Sequence, residues 1–214
     1  MAQRHESRAP AGARPIRSFV RREGRMTEAQ RRALDQLWPR YGVPPGETFL
    51  DFAALFGRRA PVTLEIGFGN GAALATMAAT YPEKDYLGIE VHRPGVGGLL
   101  QRLDKERLTN VRVLIADAKE VLAARVPDAT LSAVHVFFPD PWPKLRHHKR
   151  RLVQADFVAL VRRKLIDGGV FHIATDWQHY AEQMLAVLDA ATGLENVAGA
   201  KKYAPRGERP LTKF

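Results

Sequence analysis

The segment V-H-V-F-F-P-D-P-W-P-K at residues 134–144 is the part of this sequence that best indicates how the chain folds. Its first half is short, aromatic and β-branched, which is typical of a parallel strand buried on both faces. Three prolines within the next five residues then forbid a helix and stiffen the backbone. They hold Asp140, Trp142 and Lys144 at the end of the strand, where open α/β sheets place their ligands. The segment therefore predicts an α/β sheet with a functional site at its carboxyl edge.

A basic cluster, R-H-H-K-R-R at residues 146–151, follows the proline segment and contains no acid. The chain carries a formal net charge of +10 with a pI of about 10.2, and arginines are also concentrated in residues 1–40. A field of this sign raises the local concentration of polyanions. A generally basic surface would also keep the protein soluble, but the clustering favours a nucleic-acid site beside the carboxylate of Asp140.

The composition excludes several classes of protein. The 214 residues contain no cysteine, which excludes disulfides, thiolate metal sites and a cysteine nucleophile. No apolar run approaches the roughly 20 residues needed to span a bilayer, and the N-terminus lacks an apolar signal core. We therefore expect a cytoplasmic protein without a membrane or metal partner, either a monomer or a homodimer. The arginines and scarce acids at the N-terminus leave a mitochondrial transit peptide open as an alternative.

The chain divides into a basic extension over residues 1–40 and an α/β domain over 41–214. Residues 1–25 are rich in Arg, Ala, Pro and Gly and are predicted to be disordered or to become ordered only on RNA. A capping Thr27 followed three residues later by Gln30 predicts a short helix, which Pro39 is expected to end.

Strands and helices alternate from residue 61 onward. The predicted strands are 62–66, 85–90, 111–116, 132–138 and 170–174. The predicted helices are 72–79, 97–107, 118–124, 152–165, which Gly168-Gly169 ends, and 176–190. This alternation predicts a Rossmann-like, doubly wound, mostly parallel sheet with helices on both faces. The segment 194–214 is expected to add one or two edge strands, for about seven in all.

One carboxylate stands at the end of each of the five predicted strands: Glu65, Glu90, Asp117, Asp140 and Asp176. Five acids along one sheet edge repel one another unless a cationic or hydrogen-donating ligand lies among them. Such a row suits a ligand with ribose hydroxyls, an adenine amino group and a positive centre. For Asp117 and Asp176, capping of the next helix is an equally good interpretation. Glu65 could instead pair with an arginine or accept from loop N–H groups.

The loop after the first strand has the pattern Gly67-x-Gly69-x-x-Ala72, which satisfies the dinucleotide-binding fingerprint. A nicotinamide-dependent oxidoreductase is therefore one candidate, and a non-catalytic RNA-binding module is another. Glu65 directly precedes the glycines, and residues 67–80 contain no Lys or Arg to hold a diphosphate. A compact cation such as S-adenosylmethionine fits this charge pattern better than a dianionic dinucleotide.

Taken together, these motifs resemble those of the bacterial tRNA (guanine-N7)-methyltransferases, a family with the class I S-adenosylmethionine-dependent fold. The matching segments are 17–27, 64–71, 88–95, 138–151 and 175–177. The glycine loop at 64–71 is common to many methyltransferases, whereas F-P-D-P-W-P-K with its basic extension is far more distinctive.

The resemblance implies a methyl donor, a substrate and a set of site residues. The donor is S-adenosyl-L-methionine, the substrate is tRNA, and the methylated base is guanine 46 of the variable loop. It assigns the cofactor site to Glu65, Gly67, Gly69, Glu90, Asp117 and Asp140, and makes Asp140 the catalytic acid. It assigns substrate contacts to Lys144, Asp176, Thr212, Lys213 and Phe214, and RNA contacts to Arg146, His147, His148, Lys149, Arg150 and Arg151. The family's C-terminal T-K-F-E motif starts at Thr212, but the sequence ends before its Glu, so either the sequence is truncated or the site lacks one carboxylate.

The chemistry implied by the resemblance needs no general base, because guanine N7 carries a lone pair and no proton. Positioning, exclusion of water and management of charge are the requirements. Asp140 is expected to stabilise the charge that moves onto the purine or to accept from its N–H edge, and Lys144 to hold phosphate or O6. Trp142 either stacks on the base or seals the loop.

Overall fold

The computed structural model describes residues 18–19, 24–207 and 209–211. Its centre is a five-stranded sheet in which every pairing is parallel, with the strand order β3-β2-β1-β4-β5. The strands are β1 Val62–Ile66, β2 Asp85–Glu90, β3 Val111–Ile115, β4 Leu131–Phe137 and β5 Leu165–Ala174. The chain winds in opposite directions from β1, so the carboxyl ends of β1 and β4 form the switch point at which such sheets bind ligands. The predicted doubly wound α/β fold is confirmed.

Helices cover both faces of this sheet. They are α1 Glu28–Tyr41, α2 Phe52–Phe56, α3 Ala72–Thr80, α4 Arg93–Lys105, α5 Ala118–Ala124, α6 Ala155–Lys164 and α7 Gln178–Asp189, with a 3₁₀ helix at Leu145–Arg150. Every residue of β1 and β2 is buried. Side chains such as Leu64 and Leu87 are fully buried, and each stabilises the fold by about 1.5–3 kcal/mol. No helix in the described ranges is long and apolar enough to cross a membrane.

The first helix confirms one prediction and corrects another. The backbone N–H of Gln30 donates to the Thr27 hydroxyl (3.2 Å) and the Gln30 side chain accepts from the Thr27 N–H (2.9 Å), as expected for a capping box. The helix does not end at Pro39 but continues to Tyr41. Pro39 lies in the last turn, where its missing N–H removes a single bond, and the Gly42 N–H closes the end on the Trp38 carbonyl at 2.7 Å. The predicted disorder of residues 1–25 falls mainly outside the described residues.

The boundaries of the last helices and strand also differ from the prediction. Helix α6 spans Ala155–Lys164 rather than 152–165, and β5 begins at Leu165 instead of 170. The register passes from Leu165 to Val170 across an irregularity that contains Gly168, whose φ is +76°. Gly168-Gly169 therefore interrupts a strand, where a left-handed residue permits a bulge, and does not end a helix.

The expected edge strands after residue 194 are absent from the described part of that segment. Residues 194–207 and 209–211 form turns and irregular structure, so the described chain has five strands rather than about seven. Left-handed glycines at 199 and 207 break any extended run, and Pro205 and Pro210 supply no N–H to a ladder.

Candidate active site

A cavity of about 550 Å³ opens at the carboxyl edge of the sheet. It lies between the loops that follow β1, β2, β3 and β4, which is the position expected at a switch point. It is lined by Ser18, Phe19, Ile66, Gly67, residues 89–92, Ala116, Ala118, residues 137–143 and Leu152. Of the five strand-end acids, Glu90 and Asp140 are lining residues. Glu65 and Asp117 are sequence neighbours of lining residues, and Asp176 lies outside the lining.

The glycine loop between β1 and α3 has a backbone that only glycine adopts readily. Gly67 and Gly69 have φ values of +72° and +59°, and apart from their chain neighbours no described residue has a heavy atom within 4 Å of where a Cβ would be on either. The open space lets another molecule approach the backbone closely. Gly95 supports the loop from α4, because a Cβ there would lie 2.1 Å from the Gly69 carbonyl oxygen. Gly95 belongs to the G-I-E-V-H-R-P-G segment, yet sequence reasoning did not assign it a role.

Glu90 ties the ends of β1 and β2 together. One carboxylate oxygen accepts from the Gly69 N–H at 2.9 Å. The other accepts from the N–H groups of Val91 at 2.7 Å and His92 at 2.9 Å. Three backbone donors thus stabilise the charge of a side chain that is only 8% exposed. A carboxylate offers about four lone-pair sites, so this one retains capacity toward the cavity.

Glu65, two residues before Gly67, differs from Glu90 in its hydrogen bonding. It is 2% exposed, and its Oε2 has no hydrogen-bond partner among the described residues. Burial raises the pKa of Glu65 to about 8, with a further contribution from the Glu90 carboxylate. No arginine in the described ranges pairs with it, so the alternative of an arginine partner is not supported. A buried acceptor without a partner calls for a specific explanation, and a bound ligand supplies one.

Asp117 caps α5, as one interpretation of the sequence predicted. Its carboxylate accepts from the Lys119 N–H at 2.9 Å, and its neighbours Ala116 and Ala118 line the cavity. Asp176 precedes α7 but does not cap it, because the N-cap is Trp177 and no side-chain cap bond forms. Helix capping is therefore confirmed for Asp117 and wrong for Asp176, while ligand contact remains a prediction for both.

The proline segment presents Asp140 on an unusual backbone. Phe138 and Trp142, which flank it, have φ values of +53° and +45°, a region that costs non-glycine residues energy. Trp142 is held on several sides. Its indole N–H donates to the Ser18 carbonyl at 3.1 Å, and the Arg150 guanidinium carbon lies 4.4 Å from the centre of one of its rings. These contacts favour a role of Trp142 in sealing the loop, and stacking on a base remains a prediction.

The basic cluster forms the 3₁₀ helix, which the sequence reasoning did not predict. Arg146 and Lys149 are exposed along it, and so is Lys144, which directly precedes it. Partial burial of the His147 ring, together with nearby cations such as Arg146, lowers the pKa of that histidine. The side chains of Lys144, Arg146 and Lys149 follow directly after the lining residue Pro143, so their positive charge lies next to the cavity, where a polyanion would bind.

Arg151 departs from the predicted RNA-contacting set. Its side chain is only 1% exposed and points into the protein. A phosphate outside the protein cannot reach a guanidinium buried in this way, so the structure does not support the RNA contact predicted for Arg151. Burial could not be foreseen here, because six neighbouring basic or histidine residues in one run give no sequence signal for which of them points inward.

Three predicted substrate residues, Thr212, Lys213 and Phe214, lie outside the described residues. Two residues that were not predicted, Ser18 and Phe19, line the cavity and come from the N-terminal segment R-S-F-V. Both residues belong to segment 17–27, one of the segments that resemble the family, so the sequence already contained an indication of their role. Within the described ranges, no group of three or more His, Asp or Glu side chains is placed to hold a metal ion.

Comparison with known proteins agrees with this arrangement. A family model described as "Putative methyltransferase" matches residues 59–214. The chain is 62% identical over 208 residues to the tRNA (guanine-N(7)-)-methyltransferase of Alkalilimnicola ehrlichii, covering 96% of this chain and 88% of that protein. The proteins of the same name from Yersinia enterocolitica and Escherichia coli are 58% and 56% identical over 202 residues, covering 94% of this chain and 84% of each relative.

Proposed function

The chain belongs to the family of bacterial tRNA (guanine-N7)-methyltransferases, and we propose that it transfers a methyl group from S-adenosyl-L-methionine to N7 of guanine 46 in tRNA. The observation that carries this proposal is the 62% identity with an enzyme of that name across 96% of the chain. Family membership does not support a nicotinamide oxidoreductase or a non-catalytic RNA-binding module. The enzyme acts in the cytoplasm on tRNA, either as a monomer or as a homodimer.

The residues at the edge of the sheet fit S-adenosylmethionine. When bound, this cofactor supplies an electrophilic methyl group on a positively charged sulfur. Gly67 and Gly69 leave space for a ligand against the backbone, and the nearby buried Glu65 offers an Oε2 that has no hydrogen-bond partner among the described residues. Glu90 has acceptor capacity for ribose hydroxyls, and Asp117 is the candidate acceptor for the adenine amino group. A positive charge nearby favours the ionised form of Glu65, so cofactor binding and ionisation of this side chain support each other.

The charge of the site favours a cationic ligand over a dianionic one. Glu65 and Glu90 both adjoin the glycine loop, and residues 67–80 contain no Lys or Arg. A pyrophosphate at this loop would meet the Glu90 carboxylate with no Lys or Arg from residues 67–80 to offset it, and Glu65, whose pKa is raised to about 8, would lose its proton only against that added negative charge. Coulombic repulsion at low dielectric therefore disfavours a dinucleotide.

Asp140 is the residue that we assign to the methyl-transfer step. N7 of guanine attacks with its own lone pair, so Asp140 is not required to remove a proton. The Asp140 carboxylate, at the cavity wall, would stabilise the positive charge that develops on the purine or accept from the N–H edge of guanine. Asp176, at the end of β5, shares this task, and Lys144 holds phosphate or guanine O6.

The exposed cations of the proline segment and the 3₁₀ helix would bind the tRNA backbone. Lys144, Arg146 and Lys149 project from one continuous stretch that begins one residue after the last cavity-lining proline. Phosphate contacts fix the position of RNA without reading its sequence. Contacts made here would bring the variable loop over the cavity.

The test is mass spectrometry of nucleosides from unmodified tRNA after incubation with S-adenosylmethionine. The expected product is 7-methylguanosine at position 46, and Asp140→Asn should give little or none. A matched control is Asp51→Asn, which alters the capping acid of α2 and is not one of the residues that line the cavity. Methylation of another atom or nucleotide, or none at all by the wild-type protein, would overturn the proposal.

A further inference from the structure

Arg151 connects the proline segment to helix α7 through three polar contacts. Its Nε donates to the Pro141 carbonyl at 2.8 Å. Its Nη1 donates to the Gln183 side-chain oxygen at 2.5 Å and lies 3.1 Å from Nδ1 of His179. Pro141 directly follows Asp140, and both partners on the other side belong to α7. One rigid guanidinium therefore bridges the catalytic segment and a helix about 30 to 40 positions further along the chain.

The surroundings of this bridge are rigid as well. The Arg151 guanidinium carbon lies 4.7 Å from the centre of the Tyr180 ring. The Tyr180 hydroxyl accepts from the Val153 N–H at 3.1 Å, and the Gln183 amide donates to the Val153 carbonyl at 3.3 Å. Tyr180 is fully buried, so the chain just after Arg151 is fastened to the same helix. The fork of the guanidinium has little freedom to reorient.

This arrangement has an energetic cost that packing alone does not justify. Arg151 is 1% exposed and has no carboxylate partner in the described ranges, where its Nη2 also lacks a hydrogen-bond partner. A buried, unpaired cation is expensive, and an apolar side chain of similar volume is often equally or more stabilising. The strained backbone at Phe138 and Trp142 also persists only where the surroundings hold it. Arg151 supplies such a restraint, because it links the Pro141 carbonyl of this segment to helix α7.

We propose that Arg151 is a positioning residue for methyl transfer, which sets the separation between Asp140 and Asp176 by tying their two segments together. Asp176 lies two residues before α7, so the segment that carries this second acid leads directly into the helix that Arg151 contacts. The proposal rests on the proposed function, because it concerns the two acids assigned to guanine. This positioning role takes the place of the direct contact with RNA that the sequence predicted for Arg151.

The test substitutes Arg151→Lys, which keeps the charge but cannot bridge Pro141 and Gln183 with a planar fork. We expect kcat to fall by about 10- to 100-fold, the size of effect that a misplacement of about 1 Å produces. The affinities for S-adenosylhomocysteine and tRNA, and the dependence of tRNA affinity on salt, should stay within twofold of the wild type. Arg162→Lys is the matched control, since the Arg162 Nε also donates to a backbone carbonyl, that of Gly193 at 2.7 Å, and neither residue lines the cavity.

A second variant, Gln183→Ala, removes the bridge from the α7 end and serves if Arg151→Lys does not fold. It should lower kcat in the same way, and the double variant should lose less than the product of the two single losses, because both act on one connection. An unchanged kcat in a folded Arg151→Lys or Gln183→Ala protein would overturn the inference. So would multiplicative losses, or a weaker tRNA affinity with a salt slope flatter by about 0.7–0.9, which would indicate a phosphate contact. A wild-type protein that forms no 7-methylguanosine would instead refute the proposed function.

Discussion

Replacement of Glu65 by glutamine should change how the stability of the protein depends on pH. Burial and the Glu90 carboxylate raise the pKa of Glu65 from 4.5 to about 8 in the folded chain. At about 1.36 kcal/mol per pKa unit, the ionised form is disfavoured by about 5 kcal/mol at most. Between pH 4.5 and 8 the folded state binds more protons than the unfolded state, so the free energy of unfolding falls as the pH rises. From pH 6 to 8.5, the wild type should lose about 2–3 kcal/mol that Glu65→Gln does not lose.

Urea unfolding of the ligand-free protein at several pH values measures this difference. Glu83→Gln is the matched control, because Glu83 is an exposed carboxylate and its replacement should leave the wild-type pH dependence in place. The same carboxyl should release a proton when the sulfonium of S-adenosylmethionine binds, and calorimetry in buffers of different ionisation enthalpy detects that release. The neutral sulfur of S-adenosylhomocysteine should produce a smaller release. If wild type and Glu65→Gln show parallel pH profiles and equal proton release, the reasoning about Glu65 is wrong.

Three further outcomes are expected. Gly69→Ala and Gly57→Ala should each lower the free energy of unfolding by about 1 kcal/mol, since both positions have positive φ and open space. Only Gly69→Ala should weaken binding of S-adenosylhomocysteine. If both variants bind it equally well, the glycine loop is not part of the cofactor site. Asp140→Asn should lower kcat at least about 100-fold. Because the Asp140 side chain is exposed, the same change should alter the free energy of unfolding by less than about 1 kcal/mol. A destabilised protein would indicate a structural role instead. Arg146→Ala should flatten the log–log salt dependence of tRNA affinity by about 0.7–0.9, and an unchanged slope would place the RNA elsewhere. Filter binding at several salt concentrations measures it, with Arg163→Ala, which removes an exposed arginine of α6, as control.

Local patterns predicted the elements that position the site. The apolar runs at 62–66 and 85–90 match β1 and β2, and the Thr27–Gln30 pair marks the start of α1. These features succeed because a strand or a helix cap depends on residues close together in sequence. Predictions failed at Pro39, which lies inside the last turn of α1, and at Gly168-Gly169, which lies within β5. In both places the helix or strand continues through the proline or glycine because neighbouring hydrogen bonds compensate. The identity of that residue alone does not reveal this compensation.

The sequence by itself determined the parallel α/β order, the row of acids at the ends of the strands and the positive charge beside them. All three follow from side-chain periodicity and charge along the chain. Only the tertiary structure decided that burial raises the pKa of Glu65 to about 8 and that Arg151 points inward while Arg146 points outward. Burial and pKa are set by groups far apart in sequence, such as the Glu90 carboxylate above Glu65 or α7 against Arg151, and these meet only when the chain has folded.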